Sequence, residues 1–305
     1  MDHTRDLLQV VNHFRREMPV PIMGVGHSFG ANIIVNLALI HPRLMFHLVL
    51  LDPVLSSFKT KGPAYGFPPM LLSSMRRDLW DSRAQAEASF RRSKFYETWD
   101  PRVFDAWIKY GLRDTPTKLY PEPGKVTLTS TKHQEVFTYY RPVAQAWDKD
   151  GNRYVDLSKL YDIGNQLDKY PDYPFYRPEA PTTTERLPSL RPSVFWLYGG
   201  KSEVCIPEIR EEKRELTGVG HGGSGGVKAG RVTDVTIEEF GHLVPMEATK
   251  RCAEYAAASV LPELERWRQE EAEFQRWAER PDKEKQVIDD DWKRYLGQVK
   301  VKGRL

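Results

Sequence analysis

The sequence is poor in cysteine, in long apolar runs and in excess charge of either sign, and each shortage removes a class of protein. Only Cys205 and Cys252 occur, 47 positions apart. They supply neither a disulfide framework nor a zinc-ligand spacing, and they fit a reducing compartment. The longest mostly apolar run, Ala31 to Ile40, holds Asn32 and Asn36 and is too short to span a bilayer. The N-terminus, Met1-Asp2-His3-Thr4-Arg5-Asp6, is charged and lacks the apolar core of a secretory signal. Net charge is +3 over 305 residues. Nucleic-acid binding would need a clustered basic face, so that class has no electrostatic support. No internal repeat is visible.

What remains is a chain with 40% apolar, 11% aromatic and 29% charged residues. That composition buries a sizeable core and predicts a soluble, intracellular globular protein. Leu7, Leu8, Val11 and Phe14 recur at helical spacing over Thr4 to Glu17, and Pro19 and Pro21 end that segment. Val20 to Val25 reads as a buried strand, Phe29 to Ile40 as an apolar helix, and His47 to Leu51 as a second buried strand. Helix, strand, helix and strand with short connections predict an α/β fold with a parallel sheet.

The alternation then stops. Val54 to Pro192 is rich in Trp, Tyr, Phe, Arg and Pro, with helix-like pieces at Pro69 to Trp80, Arg83 to Tyr96 and Pro101 to Leu112. Tyr161 to Pro192 reads as a Pro- and Tyr-dense wrap. Alternation resumes with a strand at Ser193 to Tyr198, a helix at Pro207 to Leu216, a flexible Gly-rich connector at Gly218 to Gly230, a strand at Val232 to Ile237 and a helix at Met246 to Val260. The expected organisation is a core of residues 1–54 and 193–260, a large, mostly helical cap of 55–192, and a charged helical tail of 261–305. Leu264, Trp267, Phe274 and Trp277 share one helical face of that tail, as do Ile288, Trp292 and Tyr295.

Gly26-His27-Ser28-Phe29-Gly30 stands between the first strand and the apolar helix. A nucleophile on such a turn needs a strained backbone, and flanking glycines leave room for it. The five-residue pattern alone is weak; the strand–turn–helix context gives it meaning. The following helix offers its N-terminus to developing negative charge, and the backbone N–H of Phe29 is the expected oxyanion donor. A serine nucleophile needs a base. His242 is the candidate, because it lies in a loop between the last strand and the last helix. His27 and Val244 are expected to line the substrate pocket. Two carboxylates compete to orient the histidine. Asp52 ends the second strand, 24 residues after Ser28, and is preferred; Glu203, after Gly199-Gly200-Lys201-Ser202, is the alternative. Asp148-Lys149-Asp150-Gly151-Asn152 imitates the start of a calcium loop. Arg153 and Lys159 replace the glycine and closing glutamate that such a loop requires. Gly222-Gly223-Ser224-Gly225-Gly226 lacks the ending of a phosphate loop. No cofactor or metal is expected.

Gly24 to Gly30, the Asp52-Pro53 strand end, Tyr198-Gly199-Gly200-Lys201-Ser202 and Gly241-His242-Leu243-Val244-Pro245-Met246-Glu247 together resemble the α/β-hydrolase superfamily. They resemble most its fungal peroxisomal and toxin-biosynthesis serine hydrolases. The resemblance implies cleavage of an ester, lactone or thioester of an apolar, medium-sized substrate through an acyl-enzyme. The chain is also similar to fungal lactone hydrolases whose acid comes from the earlier strand, which favours Asp52. Members often end in a peroxisomal tripeptide; Gly303-Arg304-Leu305 fits that pattern at Arg-Leu and departs from it at Gly. The fold also places several strands ahead of the elbow strand, where this sequence has room for one helix. An N-terminally truncated core, without the loop that gives the second oxyanion donor, is therefore expected. The alternative function is a catalytically impaired, hydrolase-like protein that binds a ligand or partner. The expected partner is a small-molecule substrate, with no nucleic acid, no membrane span and room for a homodimer.

Overall fold

The computed structural model describes residues 2–57, 68–139, 141–142, 175–176 and 179–297. The calcium-like stretch from Asp148, half of the Tyr161 to Pro192 segment and the terminal Gly303-Arg304-Leu305 lie outside the described residues. The chain forms two compact units, Met1–Val260 and Leu261–Leu305.

In the first unit, helix α1 (Asp2–His13) leads to strand β1 (Ile22–His27), helix α2 (Phe29–Ile40) and strand β2 (Met45–Leu51). The expected helix and strand pattern is present, with α1 ending before Glu17. Two further core strands, β8 (Ser193–Gly199) and β9 (Val232–Ile237), complete a parallel sheet ordered β1-β2-β8-β9 among the described residues. β8 is buried along its whole length, as a central parallel strand covered on both faces requires. On one face, α2 packs Ala31, Val35, Leu37 and Ala38 against Leu48, Leu50, Val194, Trp196 and Tyr198. On the other, Val49, Phe195, Leu197 and Ile237 meet Val244, Ala248 and Cys252. Each fully buried Leu or Val contributes about 1.5–3 kcal/mol relative to an exposed one. Helix α2 carries apolar residues around most of its circumference because α1 and α8 (Glu179–Thr184) pack on it as well as the sheet. Its two buried asparagines bond to each other and to α8: Asn36 Nδ2 donates to Thr183 Oγ1 at 2.6 Å and to Asn32 Oδ1 at 2.9 Å.

Between β2 and β8 the described residues hold α3 (Pro68–Met75), β3 (Leu79–Trp80), α4 (Arg83–Arg91), α5 (Lys94–Glu97), α6 (Pro101–Tyr110), β4 (Leu112–Asp114), β5 (Val126–Leu128) and α7 (Lys132–Tyr139). The short pair β6 (Arg141–Pro142) and β7 (Phe175–Tyr176) follows. Strands β3, β5 and β4 form an antiparallel sheet. The expected helix through Trp80 thus stops at Met75, because Leu79 pairs with Thr127. Trp80, Phe90, Phe104, Leu112, Val126 and Leu128 make a separate apolar core there. Ser82 caps α4 by accepting the Gln85 N–H, and Asp100 caps α6 by accepting the Arg102 N–H, with Pro101 in its first turn.

The remaining helices are α9 (Pro207–Leu216), α10 (Val244–Glu247), α11 (Thr249–Ala278), α12 (Asp282–Lys285) and α13 (Asp290–Leu296). The expected helix from Met246 to Val260 is split near Ala248, and α11 runs on through Pro262. The Gly218 to Gly230 stretch is a hydrogen-bonded loop: Gly218, Gly220 and Ser224 donate to the carbonyls of Leu187, Pro188 and Leu190. Among the described residues no helix is long and apolar enough to cross a membrane.

His47, on the central strand β2, is buried between Ser193 Oγ at 2.8 Å from Nδ1 and Ser259 Oγ at 3.0 Å from Nε2. Burial, with Arg231 nearby, pushes its pKa down from 6.5 to about 4. The unfolded chain therefore binds the extra proton first as pH falls. His47 contributes stability that is complete above pH 6.5 and is lost as pH drops toward about 4. Urea unfolding at pH 7 and pH 5 should show wild type losing about 2 kcal/mol more than His47→Gln over that interval.

Candidate active site

The register of the sheet places the site. His27 at the end of β1 pairs with Leu51 at the end of β2, so Ser28 and Asp52 leave adjacent strands side by side. Ser28 N–H donates to Leu51 O at 3.0 Å, Val54 N–H donates to Ser28 O at 3.0 Å, and Asp52 N–H donates to Leu197 O at 2.7 Å. These bonds hold two unusual backbones, Ser28 at φ 56° and Asp52 at φ 41°. Positive φ is uncommon outside glycine, and such residues persist where neighbouring structure over-determines them. Gly26 is required by proximity: a Cβ there would stand 2.6 Å from Ala31 Cα. Gly30 differs from expectation, since a Cβ there meets nothing within 4 Å. The room at this turn comes from the first glycine of the motif.

His242 lies between β9 and α10 and reaches across to both residues. Its Nδ1 is 2.6 Å from Asp52 Oδ2, and its Nε2 is 2.8 Å from Ser28 Oγ. A carboxylate only accepts, so Nδ1 carries a proton; in the neutral ring Nε2 then offers its lone pair to the Ser28 hydroxyl. Asp52 is fully buried, and its Oδ1 accepts the Gly199 N–H at 3.1 Å. Buried carboxylates need such donors to offset lost hydration. The histidine loop comes this close because residue 199 is glycine: a Cβ there would stand 2.0 Å from Gly241 O.

The structure brings Ser28, His242 and Asp52 together. Glu203 is exposed and does not take the place next to Nδ1, which Asp52 occupies. Phe29 opens α2, so its backbone N–H lies at the positive end of that helix, beside Ser28 Oγ's own residue. His27 is half-buried, and its Nε2 donates to the backbone carbonyl of His242 at 2.8 Å. Burial lowers its pKa, against the raising effect of that bond. It therefore also anchors the histidine loop. Val244, expected at the substrate pocket, is instead fully buried with Val49, Phe195, Leu197 and Ile237 and packs α10 against the sheet.

Three neighbours had no assigned role in the sequence. Ser202 Oγ donates to Asp52 Oδ2 at 2.5 Å. Lys213 is fully buried and donates to Pro53 O at 2.9 Å, on the acid's own turn. Arg210 donates to the carbonyls of Gly199 and Cys205 at 2.9 and 2.5 Å. The only sequence signal for the last two was their basic character three apart on an amphipathic helix. The inserted segment also touches this region: Asp100 N–H donates to Met246 O at 2.8 Å, and Thr98 Oγ1 donates to Glu247 at 2.6 Å. Among the described residues, no group of three or more His, Cys, Asp or Glu is arranged to hold a metal.

The chain matches no protein-family model. It is 38% identical over 317 residues to mpaH of Penicillium brevicompactum, described as a type I acyl-CoA thioesterase, covering 97% of this chain and 71% of that protein. It is 27% identical over 240 residues to the abhydrolase domain-containing protein AFT2-1 of Alternaria alternata, covering 79% and 83%. The solved structure of the peroxisomal α/β-hydrolase Lpx1 of Saccharomyces cerevisiae matches with a TM-score of 0.54 at 16% identity, over 85% of this chain and 59% of that one. The chain thus spans under two thirds of the yeast protein's length. With the parallel sheet and the elbow, these likenesses define the class: the chain belongs to the α/β-hydrolase superfamily. Within it, the chain is similar over nearly its whole length to a fungal protein described as an acyl-CoA thioesterase.

Replacing the carboxylate at the Nδ1 side discriminates the two acids. Asp52→Asn should lower kcat for hydrolysis by about 10⁴-fold with the geometry intact. Glu203→Gln should stay within about 2-fold of wild type, as an exposed charge away from the histidine should. Steady-state kinetics on both variants check this.

Proposed function

We propose that this chain is a serine hydrolase that cleaves an ester or thioester through an acyl-enzyme. The observation that carries this reading is the unbroken relay from Asp52 through His242 to Ser28, with both links at 2.6–2.8 Å. Ser28 Oγ attacks the substrate carbonyl carbon while its proton passes to His242 Nε2. Asp52 stays ionised and stabilises the imidazolium through Nδ1–H. The oxyanion faces the Phe29 N–H and the N-terminal end of α2. The carbonyl then reforms, the C–S or C–O bond breaks, and the leaving group takes the proton from His242. Water repeats the sequence on the acyl-Ser28, releasing a carboxylic acid.

Thioesters are the favoured substrate class. The similarity to a protein described as an acyl-CoA thioesterase supports this choice. A thiol, with an ordinary pKa near about 8.5, leaves far more readily than an alcohol and asks less of the histidine. The aromatic-rich insertion, which meets the residues after the histidine loop through Thr98 and Asp100, suits an apolar acyl group. A purely ligand-binding role is not favoured, because binding alone has no use for a relay that activates a hydroxyl.

Two measurements test this. A fluorophosphonate probe should label wild-type protein at Ser28 and leave folded Ser28→Ala unlabelled. Medium-chain acyl-CoA should be turned over faster than the matching p-nitrophenyl ester, with Ser28→Ala slower by at least about 10⁴-fold. Folded wild-type protein that takes no label sinks the proposal. A label without acyl-CoA turnover removes only the thioester assignment.

A further inference from the structure

The geometry points to Ser202 as a positioning residue that holds Asp52, and through it His242, in the arrangement needed for proton transfer. This rests on the hydrolase reading above and adds a residue to its machinery. Ser202 is buried, and its hydroxyl has one proton and two lone pairs. The backbone N–H groups of Val204 and Cys205 both donate to Oγ, each at 3.2 Å. With both acceptor sites filled, the proton has one remaining direction, and Asp52 Oδ2 lies 2.5 Å along it. The hydroxyl is therefore locked as a donor instead of rotating between roles. The oxygen it holds is the same one that accepts from His242 Nδ1.

Among the described residues, the other carboxylate oxygen takes only the Gly199 N–H. Asp52 is thus gripped at one oxygen by the end of β8 and at the other by the loop that follows it. That loop is itself tied down from α9. Arg210 binds the carbonyls of Gly199, Gly200 and Cys205. Lys213 bridges Cys205 Sγ at 3.1 Å and Pro53 O at 2.9 Å, joining the gripping loop to the acid's own turn. Without the Ser202 proton, Oδ2 loses a charge-assisted bond in a site closed to water, and the carboxylate gains freedom to turn away from Nδ1. A tilted imidazole then meets the Ser28 hydroxyl less well, which slows chemistry and leaves substrate binding alone.

The test uses Ser202→Ala and Ser202→Cys, the second keeping the side chain's shape while replacing a strong donor by a weak one. Both are read by acyl-CoA or ester turnover and by the rate of fluorophosphonate labelling at Ser28. The expected result is a fall of about 10- to 100-fold in kcat and in labelling rate, with KM within about 2-fold. Each substitution is then repeated with Asp52→Asn. If Ser202 acts through the Asp52 carboxylate, its loss costs little more once that carboxylate is gone, so the two effects are far from multiplicative. Either folded variant retaining wild-type kcat and labelling rate overturns the inference, and so do losses that multiply in the double variant. Wild-type protein that takes no label overturns the hydrolase reading and this inference together, whereas labelled wild type with undiminished variants overturns this inference alone.

Discussion

The site depends on one pairing: β1 against β2, parallel, with His27 opposite Leu51. That register brings two chain reversals to the same level of the sheet, one carrying Ser28 and the other Asp52. A slip of one residue would turn the side chains of one strand to the opposite face. It would separate the strand ends and turn Leu48 and Leu50, packed against α2, toward the opposite face, where Val49 packs with Val244. The same apolar packing that stabilises the sheet therefore fixes the spacing of the reacting groups. The sheet's carboxyl-end edge is where open α/β folds gather their ligands, and here β1, β2, β8 and the loop after β9 each contribute one part.

Much of this was legible in the sequence because it is local. The elbow announces itself through an apolar strand, a glycine that admits Ala31 and an apolar helix, all within a few residues. The bounds of α2, α9 and β9 followed from periodicity and flanking proline or glycine. The acid was harder. Asp52 and Glu203 both follow core strands, and residue type gives no sign of which side chain turns inward. The answer lies in the left-handed backbone of Asp52, which aims its carboxylate under the histidine loop, and in Ser202 filling the inward position next to Glu203.

Other features escaped for the opposite reason, since they are set by distant partners. Leu79-Trp80 becomes a strand only because Val126 and Thr127 lie beside it. Val244 follows the histidine closely enough to suggest a pocket wall, yet the short helix it opens lies beneath Val49 and Leu197. The buried lysine at position 213 reads as a surface charge until Pro53 O and Cys205 Sγ are found around it.

The close approach at Gly199 has a consequence for how this protein can change. Any side chain at that position collides with the backbone of Gly241, and backbone has no rotamer with which to yield. Position 30, by contrast, is sterically open. In a saturation library selected for folded protein, the two glycines of similar outward character would diverge: position 30 would admit small side chains, and position 199 would remain a single-residue lock between the strand that presents the acid's partner and the loop that presents the base.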